Sequence, residues 1–174
     1  MSININNFAK KAWNIFIKNG MTPQGASSML GNMYAESGMI PNRVEILCLK
    51  RIKEYYGITY TDETYTAAVN SGKISRAQFL NPLPERQYGY SSTQLTSPSR
   101  KAGLYDRTVA KGKSIADEDI QIDYIIYELK TLFPSVWNTL TTTTSIKTAS
   151  DKVLKDFECP DNWSQYSSQR VSYS

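Results

Sequence analysis

Gly31-Asn32-Met33-Tyr34-Ala35-Glu36-Ser37-Gly38 is the stretch on which the reading of this chain turns. It closes a helix that opens at Thr22-Pro23, with the threonine as cap and the proline in the first turn. Ser37-Gly38, followed by Pro41, stops it. Ala26, Met29, Leu30 and Met33 form the apolar stripe of that helix. Glu36 follows Met33 by three residues and Met29 by seven, so it shares their face. An apolar setting and the negative end of the helix dipole both favour a protonated carboxyl. A general acid working near neutral pH needs that state. The same spacing also fits a partly exposed glutamate paired with Arg43 or Lys50.

Composition narrows the chemistry. The 174 residues contain no histidine, which removes Ser-His-Asp and Cys-His nucleophile pairs. Zinc sites of the usual kinds need histidine or clustered cysteines. The two cysteines, Cys48 and Cys159, stand far apart, and Cys48 reads as a small buried hydrophobe between Leu47 and Leu49. Neither a metal nor a cofactor is expected. Carboxylate chemistry on a glycosidic bond remains open to the chain.

A net charge of +4 and a pI near 9.0 suit a polyanionic partner: nucleic acid, anionic lipid or bacterial cell wall. They equally suit plain solubility. No block of basic residues marks a nucleic-acid footprint, and no apolar run is long enough for stable membrane insertion. The start, Met1-Ser2-Ile3-Asn4, lacks a signal-peptide pattern. The expectation is production in a host cytoplasm without a signal peptide.

Outward from the opening stretch the chain reads as helices. Ile5, Phe8, Ala9, Ala12, Trp13, Phe16 and Ile17 share one face of a first helix, stopped at Gly20. Further helices are predicted over Asn42–Tyr55, from Thr61 or Asp62 to Asn70, and over Ser75–Leu80, where Ser75 and Gln78 have capping-box spacing. Others follow from Ser97-Pro98 to about Lys111, from an Asp117 cap with Ile122, Ile125, Ile126 and Leu129 buried, and from Pro134. Thr141–Thr144 reads as a polar loop. Ser145 caps a helix that buries Ile146, Ala149, Val153 and Phe157. Residues 85–97 are the least helical, an extended loop or small hairpin. The chain ends in what reads as a helix start at Gln169–Tyr173, and a further helix or wall-binding domain is expected beyond Ser174. The architecture is one mainly helical domain over residues 1–174 with one small extended element.

Gly31 through Asn42 resembles the catalytic helix of the phage tail lysozyme family, peptidoglycan-cleaving domains of phage tail proteins, endolysins and wall hydrolases of Gram-positive bacteria. The resemblance continues in Tyr88-Gly89-Tyr90 with Gln94, in Thr96 through Asp106, in Ser145 to Phe157, and in Phe157-Glu158-Cys159-Pro160. It implies a lysozyme-like fold, mainly α with a small β-hairpin and a substrate cleft. It also implies Glu36 as catalytic acid. The family's second motif reads glycine-tyrosine-glycine, two small or apolar residues, glutamine, tryptophan, threonine. Here the second glycine is Ser91 and the tryptophan is Leu95. The leucine gives up an aromatic face on which a sugar could stack.

A glycosidase needs a base or nucleophile opposite its acid. Glu45, Glu54, Asp62, Glu63 and Glu85 are the candidates, with Glu45 and Glu85 ranked first. Without a strong second carboxylate, the substrate's N-acetyl group or a positioned water would complete the reaction. Tyr88, Tyr90, Gln94 and Thr96 are the expected substrate-binding residues, with Tyr105 a further stacking face. The leading reading is a peptidoglycan glycoside hydrolase, muramidase or glucosaminidase, released by a holin or carried on a virion. The alternatives are a lytic transglycosylase, a non-catalytic wall-binding or assembly module, and a phage structural domain.

Overall fold

Thr22 sets the first fixed point of the fold. Its hydroxyl accepts from the Gly25 amide at 3.0 Å and donates to the Thr143 carbonyl at 2.8 Å, so the cap of one helix is also tied to a distant turn. The computed structural model describes residues 5–84 and 86–174, with side chains from Asn7 onward. It is 66% helical. The chain divides into two compact units: one from residues up to Met39 together with Ile122–Ser174, the other from Ile40–Gln121.

The first unit contains α1 (Ile5–Lys18) and α2 (Pro23–Ser37). The intervening α3 (Ile46–Tyr56), α4 (Asp62–Asn70), α5 (Arg76–Leu80) and α6 (Pro98–Ala110) belong to the second. The chain continues with α7 (Glu118–Thr131), α8 (Pro134–Thr142), α9 (Ile146–Val153) and α10 (Ser167–Ser172). The core of the first unit gathers the expected stripes: Phe8, Ala12 and Phe16, then Met29 and Met33, then Ile122, Ile125 and Leu129, then Ala149, Val153 and Phe157. Ile17 and Ile146 lie instead at the surface, 37% and 36% exposed.

Helix α2 packs against α1, α8, α9 and α10. It therefore buries more than one stripe, and two of its polar side chains donate hydrogen bonds inside. The Ser28 hydroxyl donates to the Ile146 carbonyl at 3.0 Å, and the Asn32 amide donates to the Ser28 carbonyl at 2.8 Å. Glycine allows the closest approach: a Cβ on Gly25 would sit 2.0 Å from the Leu140 carbonyl oxygen.

Three local readings change. Thr141 and Thr142 extend α8 rather than forming a loop: the backbone ladder runs on to the Thr143 amide, which donates to the Thr139 carbonyl at 3.0 Å, and the two hydroxyls donate back to the Trp137 and Asn138 carbonyls at 3.0 and 2.8 Å. After α9 the backbone widens into a π-helical turn, Leu154–Glu158, ended by Cys159 in the left-handed region. In the second unit α3 starts at Ile46 rather than Asn42. The Val44 amide is taken by the Asp62 carboxylate at 2.9 Å and Val44 bridges Tyr90, which keeps this segment extended.

The capping box of Ser75 and Gln78 forms, as does one at Thr61 and Thr64. The expected hairpin is reduced to isolated bridges, Val44 with Tyr90, Leu83 with Arg86 and Tyr90 with Leu95. Between Tyr90 and Leu95 the chain reverses through Ser91 at φ 84° and Gln94 at φ 47°. No described helix is long and apolar enough to cross a membrane.

Candidate active site

Helix α2 delivers Glu36 one turn after the buried Met33, and Gly38 ends the helix at φ 67° with its amide on the Tyr34 carbonyl. The Glu36 side chain is 22% exposed. Its partner is neither Arg43 nor Lys50. Arg43 pairs with Asp62 at 3.1 Å, while the Glu36 Oε1 accepts from Nη2 of Arg170 on α10. The Arg170 side chain is itself only 9% exposed. Burial pushes the Glu36 carboxyl above its ordinary value, and the charge and hydrogen bond of Arg170 pull it back without cancelling the rise. The arrangement is a carboxyl kept from full hydration with a cation fixed on one oxygen. Such a group can give up a proton and then be stabilised as the anion.

The remaining candidates lie in the second unit. Glu45 precedes α3, and its Oε2 accepts from the Gly89 amide at 2.9 Å while its own amide donates to the Gly89 carbonyl at 3.0 Å. Gln94 folds over Gly89, where a Cβ would stand 2.7 Å from the Gln94 Oε1. Its amide nitrogen donates to the Arg43 and Ser91 carbonyls at 3.1 and 3.0 Å. Thr96 is exposed, and its hydroxyl donates to the Gln94 carbonyl at 3.1 Å. Glu85 lies outside the described residues.

Two of the expected substrate-binding aromatics lie buried. Tyr90 is 2% exposed, with its hydroxyl 2.9 Å from that of Thr66 and its ring edge-on to Phe79. Tyr88 is 3% exposed, beneath the Arg86 guanidinium. Both rings fill the interior of the second unit and offer no open face to a sugar. Leu95, at the position of the family's tryptophan, is also buried, so the change costs core volume rather than a stacking surface.

Against known families, the profile described as phage tail lysozyme matches residues 7–174. The chain belongs to the phage tail lysozyme family. A comparison with curated proteins gave no match.

Membership makes this lysozyme-family protein a bacteriophage-type cell-wall hydrolase with peptidoglycan as its substrate. In that light the family's second motif has a physical explanation here. Gly89 leaves room for Gln94, and position 91 is where the backbone turns left-handed, a conformation that favours glycine over the serine present. Arg170 escaped the sequence reading. It stands 134 residues from Glu36, and no spacing rule connects the two. The only available signal was a cation in a short C-terminal helix.

Proposed function

We propose that the protein cleaves the glycan strand of peptidoglycan with Glu36 as general acid. The observation that carries this reading is the Glu36 carboxyl itself, largely buried at the end of α2 and held above its ordinary pKa by desolvation. In the reaction the Glu36 proton passes to the glycosidic oxygen as the bond from the anomeric carbon to that oxygen breaks. Positive charge develops on the sugar ring. Water, activated by a second carboxylate or guided by the substrate's N-acetyl group, then closes the reaction. Glu45 and Glu85 remain the ranked candidates for that second group. Glu45 already supports the Gly89 loop, which gives it a structural task whichever group acts. Release by a holin or transport on the virion would bring the protein to the wall.

Digestion of purified Gram-positive peptidoglycan, with products identified by mass spectrometry, tests the reading. The wild type is expected to release fragments with new reducing ends, and Glu36→Gln to lose about 100- to 10,000-fold in rate. The terminal sugar names the bond as muramidase or glucosaminidase type. Anhydro ends would make the protein a lytic transglycosylase. A Glu36→Gln protein that digests walls at the wild-type rate would remove Glu36 from the chemistry.

A further inference from the structure

We propose that Arg170 is a positioning residue for the general acid: carried in by α10, its guanidinium fixes the Glu36 carboxyl and makes residues 167–174 part of the active site. This rests on the reading of Glu36 as the acid. The contact is built rather than incidental. Gly31 clears the way for the C-terminal segment, since a Cβ there would lie 2.4 Å from the Ser174 Oγ, 2.9 Å from its amide and 3.0 Å from the Arg170 carbonyl oxygen. One turn on, Tyr34 meets the edge of Tyr173 with ring centroids 5.0 Å apart. At the other end of α10, the Ser167 hydroxyl donates to Asp151 of α9. Three contacts along the segment thus set Arg170 against the carboxyl.

The chemistry of the pair follows from its geometry. A guanidinium does not release its proton, so Arg170 cannot be the acid itself. It holds Oε1 and leaves Oε2 to carry the proton to be delivered. Before transfer the carboxyl is neutral and burial favours it; after transfer it is an anion and Arg170 favours it. The cation therefore makes Glu36 a stronger acid than burial alone would allow.

Among the described residues, the other helices packed on α2 bring no second cation to the carboxyl. On α9, Lys147 pairs with Asp151, and Lys152 pairs with Asp156 one turn further on. Helix α8 carries no charge, and Lys10, Lys11 and Lys18 of α1 do not perturb Glu36.

The test is the pH profile of wall digestion by Arg170→Met, Arg170→Gln and Arg170→Lys beside wild type and Glu36→Gln. A general acid loses activity as pH rises through its pKa. Removing the cation should raise that pKa, moving the falling limb upward by about one pH unit or more. Arg170→Lys should restore most of the wild-type position. A limb that stays in place while the rate drops equally at every pH would reduce Arg170 to a packing role and overturn the proposal. The control separates the two readings: an active Glu36→Gln protein would remove the acid, whereas an inactive one with an unmoved Arg170→Met limb would remove only the positioning role. Should Arg170→Met fail to fold, carbon-13 titration of the Glu36 carboxyl in Arg170→Gln reads the same effect. An unchanged midpoint there overturns the proposal equally.

Discussion

Ser91 sits in the left-handed region at φ 84°, where a side chain costs about 1–2 kcal/mol. Ser91→Gly relieves that strain at the expense of a looser unfolded chain. It should leave chemical-denaturation stability unchanged or raise it by up to ~1 kcal/mol; a clear loss would mean that the hydroxyl matters more than the backbone.

Lys101 poses a sharper problem at the same scale. It is buried, its ammonium donates to the Phe79 and Tyr88 carbonyls at 3.2 Å each, and desolvation drops its pKa from 10.5 to about 8. Between those two values the folded protein has released a proton that the unfolded chain still holds, so folding gains stability as pH rises through that window. Relative to Lys101→Met, the wild type should gain stability from pH 7.5 to 10, with an upper limit of ~3 kcal/mol. A flat difference across that range would refute the assignment. Glu36 was legible in the sequence because helical periodicity ties it to Met29 and Met33. Lys101, Tyr90 and Leu95 were not, because burial in the second unit depends on contacts that no local period encodes.

Among the elements, α2 carries the most constraint. Gly25→Ala would drive a methyl group into the Leu140 carbonyl. Backbone cannot step aside as a side chain can, so a loss of about 1–3 kcal/mol is expected in thermal or denaturant unfolding. Gly31→Ala is predicted to act differently. Alanine is the better helix former by about 1 kcal/mol, but the methyl group would displace Ser174 and the Arg170 backbone. The falling limb of wall digestion should move to higher pH, as in Arg170→Met, while the melting temperature moves little. An unfolded Gly31→Ala protein, or one whose limb stays at the wild-type position, would contradict this. Most helix limits could be read from caps and breakers such as Thr22-Pro23, Ser75 with Gln78 and Ser97-Pro98. The exceptions are where a distant side chain or the backbone ladder decides: Asp62 holding Val44 out of α3, and the ladder running on through Thr141 and Thr142 to the Thr143 amide. The small hairpin stops at isolated bridges because the next pair outward from Tyr90 and Leu95 is otherwise engaged: the Tyr88 carbonyl accepts from Lys101 and Ser97 already stands at the N-cap of α6.

The whole molecule is divided unevenly along the chain. The second unit is one continuous stretch, Ile40–Gln121, whereas the first joins residues before Met39 to residues after Ile122. Native-state hydrogen exchange should therefore resolve two classes of core amide, one led by α4 to α6 and one by α2 and α9, each with its own opening free energy. A single common value would make the chain one cooperative body.

The discontinuity bears on synthesis. As the protein leaves the ribosome, α2 emerges early with its buried sides bare, and Arg170 arrives 134 residues after Glu36. The segment between them can mature first, but α8, α9 and α10, which cover α2, are all translated after it. A nascent or prematurely terminated polypeptide thus has the carboxyl without its cation and without its packed surroundings. If Glu36 and Arg170 act as proposed, a nascent chain gains competence to attack a wall only after Arg170 has been added, and every shorter polypeptide lacks the completed pair.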